Sequence, residues 1–390
     1  MRPARFSAGA LLDGARAATG LEDFGGFDLV GPLRLLCDAL NEEAGLNAQG
    51  ELFARERLAT VLATRLKVVE DRKRVPEVAE QQIVRPIVIP SLPRTGTTML
   101  FNLLAQDPDN RVPLGWETLL SSPPPRTASY ATDERIAEAQ ALLERWGLRR
   151  PEIFAIHPLG ADLAEECPFL CEQWMVYTPY NAFWNVPSYV AGTAAVSRVA
   201  VFREHRKLLQ HLQVRKPGKR WLLKAPAHLA HLQELTTVYP DAVFVQTHRD
   251  LRKILPSYAS LFNALRSTFS DDPRNFDVQA MLAMNIPALA HRLERAAEFR
   301  KDAPQTFVDV LYADLAASPL EVVRAIYGRL DLELTSATER RMAAWLAENR
   351  KGSHGAPDYS LAAAGISDDA VEAAFGAYMD RFAIPRERSA

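Results

Sequence analysis

Cysteine is scarce in this chain, with only Cys37, Cys167 and Cys171 among 390 residues. An odd, sparse set excludes a disulfide-built scaffold and points to a reducing compartment, the cytoplasm. Cys167 and Cys171 stand four apart, on one face of a helix, with no second ligand pair nearby. They read as buried thiols rather than a zinc site. Long hydrophobic runs are missing as well. No apolar stretch approaches the roughly 18–20 residues of a membrane span. The apolar segment Ala8–Leu12, behind Arg2 and Arg5, is cut short at Asp13, so no signal peptide is expected. Charge of one sign is also absent: 46 Lys+Arg stand against 48 Asp+Glu. That excludes a nucleic-acid footprint on a whole-chain basis. There are no internal repeats and no low-complexity segment. What remains is an ordinary globular mix, long enough for two or three domains or one large domain with an attached lobe.

Residues 1–80 read as a helical lobe. Leu33, Leu36, Cys37 and Leu40, then Leu58, Val61, Leu62, Leu66 and Val69, recur at helical spacing. The mixed-charge run Glu70-Asp71-Arg72-Lys73-Arg74 closes the lobe as a solvated face, and Pro76 marks the break. Over 81–390 the period changes. Pro86–Pro90 is a short β-rich run followed by a turn and the apolar-periodic helix Thr97–Leu104. Trp221–Lys224, Ala242–Gln246 and Thr306–Val310 are further short apolar runs that lead into helical patterns. Strands spaced by helices predict an α/β domain, a parallel sheet with helices on both faces. The spacing also predicts helices over 132–146, 164–176, 187–213, 273–300, 319–331, 335–347 and 367–382.

The strongest chemical motif is Pro93-Arg94-Thr95-Gly96-Thr97-Thr98. A short loop between a parallel strand and a helix presents free backbone N–H groups at a positive dipole end, which is an anion site. Gly96 permits close backbone approach, Thr97 and Thr98 add hydroxyls, and Arg94 adds a fork of N–H donors. It is not a Walker A loop, because no lysine stands where one would reach the β- and γ-phosphates. The second constellation is Val243-Phe244-Val245-Gln246-Thr247-His248-Arg249-Asp250, followed by Ser257. Arg249 at the carboxyl edge of the sheet and Ser257 on the next helix can hold one more phosphate.

In this combination the chain resembles the PAPS-dependent sulfotransferases, a P-loop-like fold, and in particular a bacterial branch of them. The Leu-Pro-Arg-Thr-Gly-Thr-Thr run is similar to that family's 5′-phosphosulfate loop. The His-Arg-Asp…Pro-Ser-Tyr run is similar to its 3′-phosphate site, and Arg350-Lys351-Gly352 resembles the segment that closes over the same phosphate. The likeness extends over Trp221–His228 and the closing Tyr359…Phe375…Tyr378…Phe382. Three positions depart from the pattern: Ser91 replaces a glycine, Leu251 a proline, and Met99 the adenine-stacking tryptophan of animal members.

The resemblance implies PAPS as co-substrate and PAP as product, with sulfuryl transfer to a hydroxyl or amine by in-line displacement and no metal. It implies Glu117 or His228 as general base and Lys224 as a donor to the bridging oxygen. The match at His228 is imperfect, since Lys-x-x-x-His replaces the Lys-x-His of the cytosolic branch. A small-molecule, carbohydrate or lipid acceptor is expected, with no nucleic-acid partner; a homo-oligomer is left open. A P-loop-like kinase or hydrolase, and a nucleotide-binding module without catalysis, are the competing readings. His157 near Glu165 and Glu166 lacks a histidine partner at i+4 and reads as structural. The aromatics Phe154, Tyr177, Tyr180, Phe183, Trp184 and Tyr189 read equally as an acceptor pocket or as core.

Overall fold

The computed structural model describes residues 5–349, 361–362 and 365–387. They form two compact units. One takes the described residues up to Ile83 with Pro113–Pro217 and Phe262–Phe276. The other takes Val84–Val112, Gly218–Leu261 and the described residues from Asp277 onward. The N-terminal helices share their unit with two later segments of chain.

The first unit is built mainly from helices. Ala8–Thr19, Val30–Glu42 and Ala48–Arg74 form the N-terminal stretch. The longest starts at Asn47, whose side chain accepts the Gly50 N–H, and ends in Arg72, Lys73 and Arg74, basic residues suited to a helix C-terminus. Its fully buried Phe53 gathers the rings of Phe269, Phe183, Trp184 and Trp146 at centroid distances of 4.6, 5.2, 5.3 and 5.6 Å. Tyr180 and Tyr189 are buried too, so four of the six aromatics singled out in the sequence are core, and Phe154 and Tyr177 are partly exposed. One ion pair is sealed into this unit, Arg57 Nη2 to Glu172 Oε2 at 2.7 Å. Burial outweighs the arginine and pushes the Glu172 carboxyl up to about 7. The stretch read as one helix over 187–213 is two, Pro187–Thr193 and Arg198–Gln213, the second capped by Ser197. That read over 164–176 is Cys167–Cys171 and a 3₁₀ turn, Glu172–Trp174.

The second unit holds a parallel sheet of five strands: β1 (Ile87–Ile89), β2 (Asn110–Arg111), β3 (Arg220–Lys224), β4 (Val243–His248) and β5 (Phe307–Leu311), in the order β2-β3-β1-β4-β5. Ile87 pairs with Leu222 on one side and Val243 on the other, and Phe244 pairs with Phe307. β1 and β4 are buried at every residue, as strands covered on both faces must be. β5, at the edge, alternates, with Val308 and Val310 inward and Asp309 exposed. The helix Asp368–Arg381 is tied to this edge through His248. One ring nitrogen meets the Tyr378 hydroxyl at 2.7 Å, the other meets Asp309 at 2.8 Å, and the ring stacks on Phe382. Burial lowers the His248 pKa. Burial acts to raise Asp309, but His248 and Arg300 outweigh it and pull that carboxyl down to about 2.

Candidate functional site

β1 runs into the loop 90–96, and the helix Thr97–Leu104 follows. The helix begins at Gly96, in the left-handed region at φ 86°, with no side chain capping its first N–H groups. An uncapped N-terminus of this kind suits an anion. The loop is held from behind by β4, which outruns β1. The buried Ser91 hydroxyl accepts the Thr247 N–H at 2.7 Å, so this side chain satisfies a donor of β4 beyond the last residue of β1. Thr95 Oγ1 donates to Leu92 O at 2.7 Å and lies 2.6 Å from Thr247 Oγ1. Its hydroxyl is spent inside the loop, and the backbone N–H is what it offers a ligand.

Arg94, in the left-handed region at φ 67°, turns its side chain across to Ser257, with Nε to Oγ at 2.7 Å. Arg249 Nη1 donates to the Arg94 carbonyl at 3.3 Å. Two positions about 155 residues apart in sequence thus sit on one surface, with Arg94 linking the helix N-terminus to Ser257 and Arg249. Burial, and then the charge of Arg249, lower the Arg94 pKa. A half-buried guanidinium facing a second arginine is favoured by an anionic neighbour. Lys224, buried at the end of β3, points its Nζ at Thr98 Oγ1, 3.5 Å away, and lies over the Phe101 ring. Thr98 is exposed and Thr97 is buried. The loop, Lys224, Arg249 and Ser257 are therefore brought together in one unit. His228 is buried in the 3₁₀ turn Pro226–Ala230 just past β3, its N–H on Ala225 O. Arg350, Lys351 and Gly352 lie outside the described residues.

Glu117 belongs to the helical unit. It sits in the short helix Gly115–Leu119 and is fully buried. Its Oε2 accepts the Leu114 N–H at 3.0 Å and the Tyr130 hydroxyl at 3.0 Å. His157 Nε2 lies 3.8 Å from Glu165. Among the described residues no group of three His, Cys, Asp or Glu gathers to hold a metal.

Sequence reasoning missed Tyr312. It opens the helix Tyr312–Ala317 directly after β5, and its ring carries the Arg249 guanidinium at 4.0 Å. A Cβ on Gly96 would stand 3.0 Å from the same ring. The signal was available, since Tyr312 follows a strand at the carboxyl edge where such sheets bind ligands. Glu387 was missed too: it meets Arg249 Nε at 3.0 Å, and nothing in its local sequence marks it.

The chain is similar to known sulfotransferases. The model of the Sulfotransferase family matches residues 86–336. A crystal structure of sulfotransferase STF9 from Mycobacterium avium superposes with a TM-score of 0.88 at 26% identity, over 98% of each chain. Sulfotransferase STF1 from Mycobacterium tuberculosis superposes at 0.81 with 30% identity, over 96% of this chain and 100% of that one. Among curated relatives, the omega-hydroxy-beta-dihydromenaquinone-9 sulfotransferase Stf3 of Mycobacterium bovis is 24% identical over 273 residues, 68% of this chain and 67% of its own. With a match spanning the sheet, the loop and the Arg249 segment, the chain belongs to the sulfotransferase family.

Proposed function

We propose that this protein transfers the sulfuryl group of PAPS to a hydroxyl on a small, largely apolar acceptor. The observation that carries the reading is the continuity of two groups of hydrogen-bond donors. The uncapped helix N-terminus at Gly96 and the pair Arg249 and Ser257 are joined through Arg94. PAPS carries two separate anionic groups, a 5′-phosphosulfate and a 3′-phosphate, and so needs two such sites. The apolar acceptor class is supported by the menaquinone named for the mycobacterial relatives.

In this reading the N–H groups of residues 96–98, Arg94 and Lys224 take the phosphosulfate. Lys224 and the loop stabilise charge on the bridging oxygen as the S–O bond to the phosphate breaks and the electron pair leaves with PAP. Arg249, Ser257, Arg350, Lys351 and Gly352 take the 3′-phosphate. The acceptor oxygen attacks sulfur in line, and Glu117 receives its proton, with His228 as the competing base. The Leu114 N–H and the Tyr130 hydroxyl both donate to Glu117 Oε2 and help orient the carboxylate, as a base requires.

The test is transfer of labelled sulfate from PAPS to a panel of alcohols and phenols, with EDTA present throughout. Turnover in chelator and a raised melting temperature with PAP, but not with ATP and Mg²⁺, are expected. Ligand at a hundredfold excess over Kd stabilises by about 2.7 kcal/mol, so the shift is readable. Stabilisation by ATP with Mg²⁺ and loss of turnover in EDTA would sink the reading in favour of a kinase. Glu117→Gln should cut kcat by at least ~10² with PAP affinity within a few-fold. His228→Ala, run beside it, decides between the two bases.

A further inference from the structure

We propose that the amino-terminal edge of the sheet carries a second ligand site, for a small organic anion with a ring-sized apolar body and a carboxylate head. The site lies wholly within the second unit, at the strand ends opposite the loop 90–96, Lys224 and Arg249.

A step in the sheet makes room for it. Ile87 pairs with Leu222 and with Val243, so β1 starts level with β4 and short of β3, which begins at Arg220. Pro86 has no N–H and cannot carry the ladder further back. Arg85 then turns out of line, in the left-handed region at φ 42°. The step is an open cleft of about 190 Å³. Its apolar lining is Val84, Ile87, Val243 and Leu332, with Val84 56% exposed. An apolar cavity of roughly 150 Å³ takes a benzene ring, so the space suits one ring or a short chain.

Three cations complete the lining: Arg85, Lys219 and Arg220. The protein neutralises two of them. Lys219 Nζ meets Asp109 at 2.7 Å, and Arg220 meets Asp107 at 3.3 Å and Asn110 Oδ1 at 2.7 Å. Arg85 differs. Its guanidinium donates from Nη2 to the Leu330 carbonyl at 2.7 Å, and among the described residues no carboxylate forms an ion pair with it. Asp241 accepts the Arg85 main-chain N–H at 2.6 Å instead. These two contacts clamp a half-buried arginine in a backbone conformation that L side chains rarely adopt. A fork held in place before the ligand arrives loses little freedom on binding. Guanidinium and apolar lining select together. A bare inorganic anion would leave the apolar lining wet, and a neutral ring would leave the fork unpaired. Asp107, Asp109 and Asp241 nearby disfavour a dianion, so the head carries a single charge.

Calorimetry on the full chain with 3-phenylpropionate, 3-phenylpropionamide and acetate tests the site. The aryl carboxylate should bind at least about five-fold tighter than its amide, and acetate should give no measurable binding. Arg85→Met keeps an apolar stem and removes the fork, so it should erase the preference for carboxylate over amide. Leu332→Trp fills the cleft and should abolish binding of both. Saturating PAP should leave 3-phenylpropionate binding intact, since the two ends of the strands are separate. Equal affinity for carboxylate and amide in the parent overturns the proposal, as does no binding of either. Binding that survives Leu332→Trp, or displacement of 3-phenylpropionate by PAP, puts the ligand elsewhere and overturns it too. Should either variant not fold, the parent's carboxylate-to-amide ratio and the PAP competition still decide.

Discussion

Arg249 meets Glu387 edge to edge, with Nε 3.0 Å from Oε1 and Nη2 3.3 Å from Oε2. A bidentate carboxylate satisfies a guanidinium in the same geometry that a phosphate would. The Glu387 N–H is itself anchored on Asp250 Oδ2 at 2.6 Å. If Arg249 takes the 3′-phosphate, that phosphate competes with the protein's own carboxylate. Glu387→Gln should then tighten PAP several-fold, most at low ionic strength, as calorimetry at two salt concentrations would read. Unchanged or weaker binding would mean that the carboxylate only orients Arg249.

Arg249→Ala tests the site from the other side. Loss of a charged hydrogen bond to phosphate costs about 1.5–3 kcal/mol, roughly 10- to 150-fold. PAP should weaken by that factor, and the analogue without the 3′-phosphate should barely change. Equal weakening of both ligands would mean that the 3′-phosphate lies elsewhere.

Gly96→Ala places a methyl 3.0 Å from the Tyr312 ring and 3.1 Å from Leu315 Cδ2, at φ 86°. The left-handed backbone alone costs about 1–2 kcal/mol for an L side chain. Tyr312 cannot yield without leaving Arg249, whose guanidinium rests on it. PAP affinity should fall by more than ten-fold with only a modest drop in melting temperature. A variant that binds PAP as the parent does would show that the loop relaxes independently of Tyr312.

Buried histidines should make stability fall on acidification. Burial pushes His205 to about 3 and His211 to about 4, and it lowers His248. Unfolded histidine takes up its proton near 6.5, so between about 6.5 and about 4 the unfolded chain binds more protons than the fold does. Each such histidine removes about 1.4 kcal/mol of stability per pH unit as the pH falls. Glu172, raised to about 7, acts oppositely: its ionised form is disfavoured in the fold, so acidification relieves it. His205 and His211 together outweigh Glu172 over this range, and the urea midpoint should be lower at pH 5 than at pH 7. A midpoint that holds or rises at pH 5 would contradict the buried, neutral histidines.

Much of the sheet was legible because its strands are short, apolar and followed by helical periodicity: Ile87–Ile89, Val243–His248 and Phe307–Leu311 fall where the runs predicted. Asn110–Arg111 was not, since two polar residues carry no period. The 187–213 run hid its break because Ala194–Ser197 contains no proline or glycine to punctuate it. At the candidate site, Arg94, Gly96 and Arg249 stood out because each lies beside a strand end or helix start, and Ser257 because it follows Arg249 within the next helix, Leu251–Phe269. Tyr312 and Glu387 act through contacts with Arg249 across 63 and 138 residues of chain, and no local pattern encodes such a pairing. Tyr130 lies hidden for the same reason, in a polar turn that resembles any other.

The Thr95 and Thr247 hydroxyls carry a sense of direction. Each holds a single proton. Thr95 commits its own to Leu92 O at 2.7 Å, so the 2.6 Å contact with Thr247 is made with the Thr247 proton. The proton order thus runs one way, from strand β4 through Thr95 into the Leu92 carbonyl, and it ends on main chain. Valine at Thr247 would leave an acceptor unfilled, whereas valine at Thr95 would strand a donor and an acceptor together. Because that wire terminates inside the loop, Thr95 has no hydroxyl proton to spare for an incoming anion. Its negative charge would be met by peptide N–H groups and by Arg94, donors whose protons cannot rotate away.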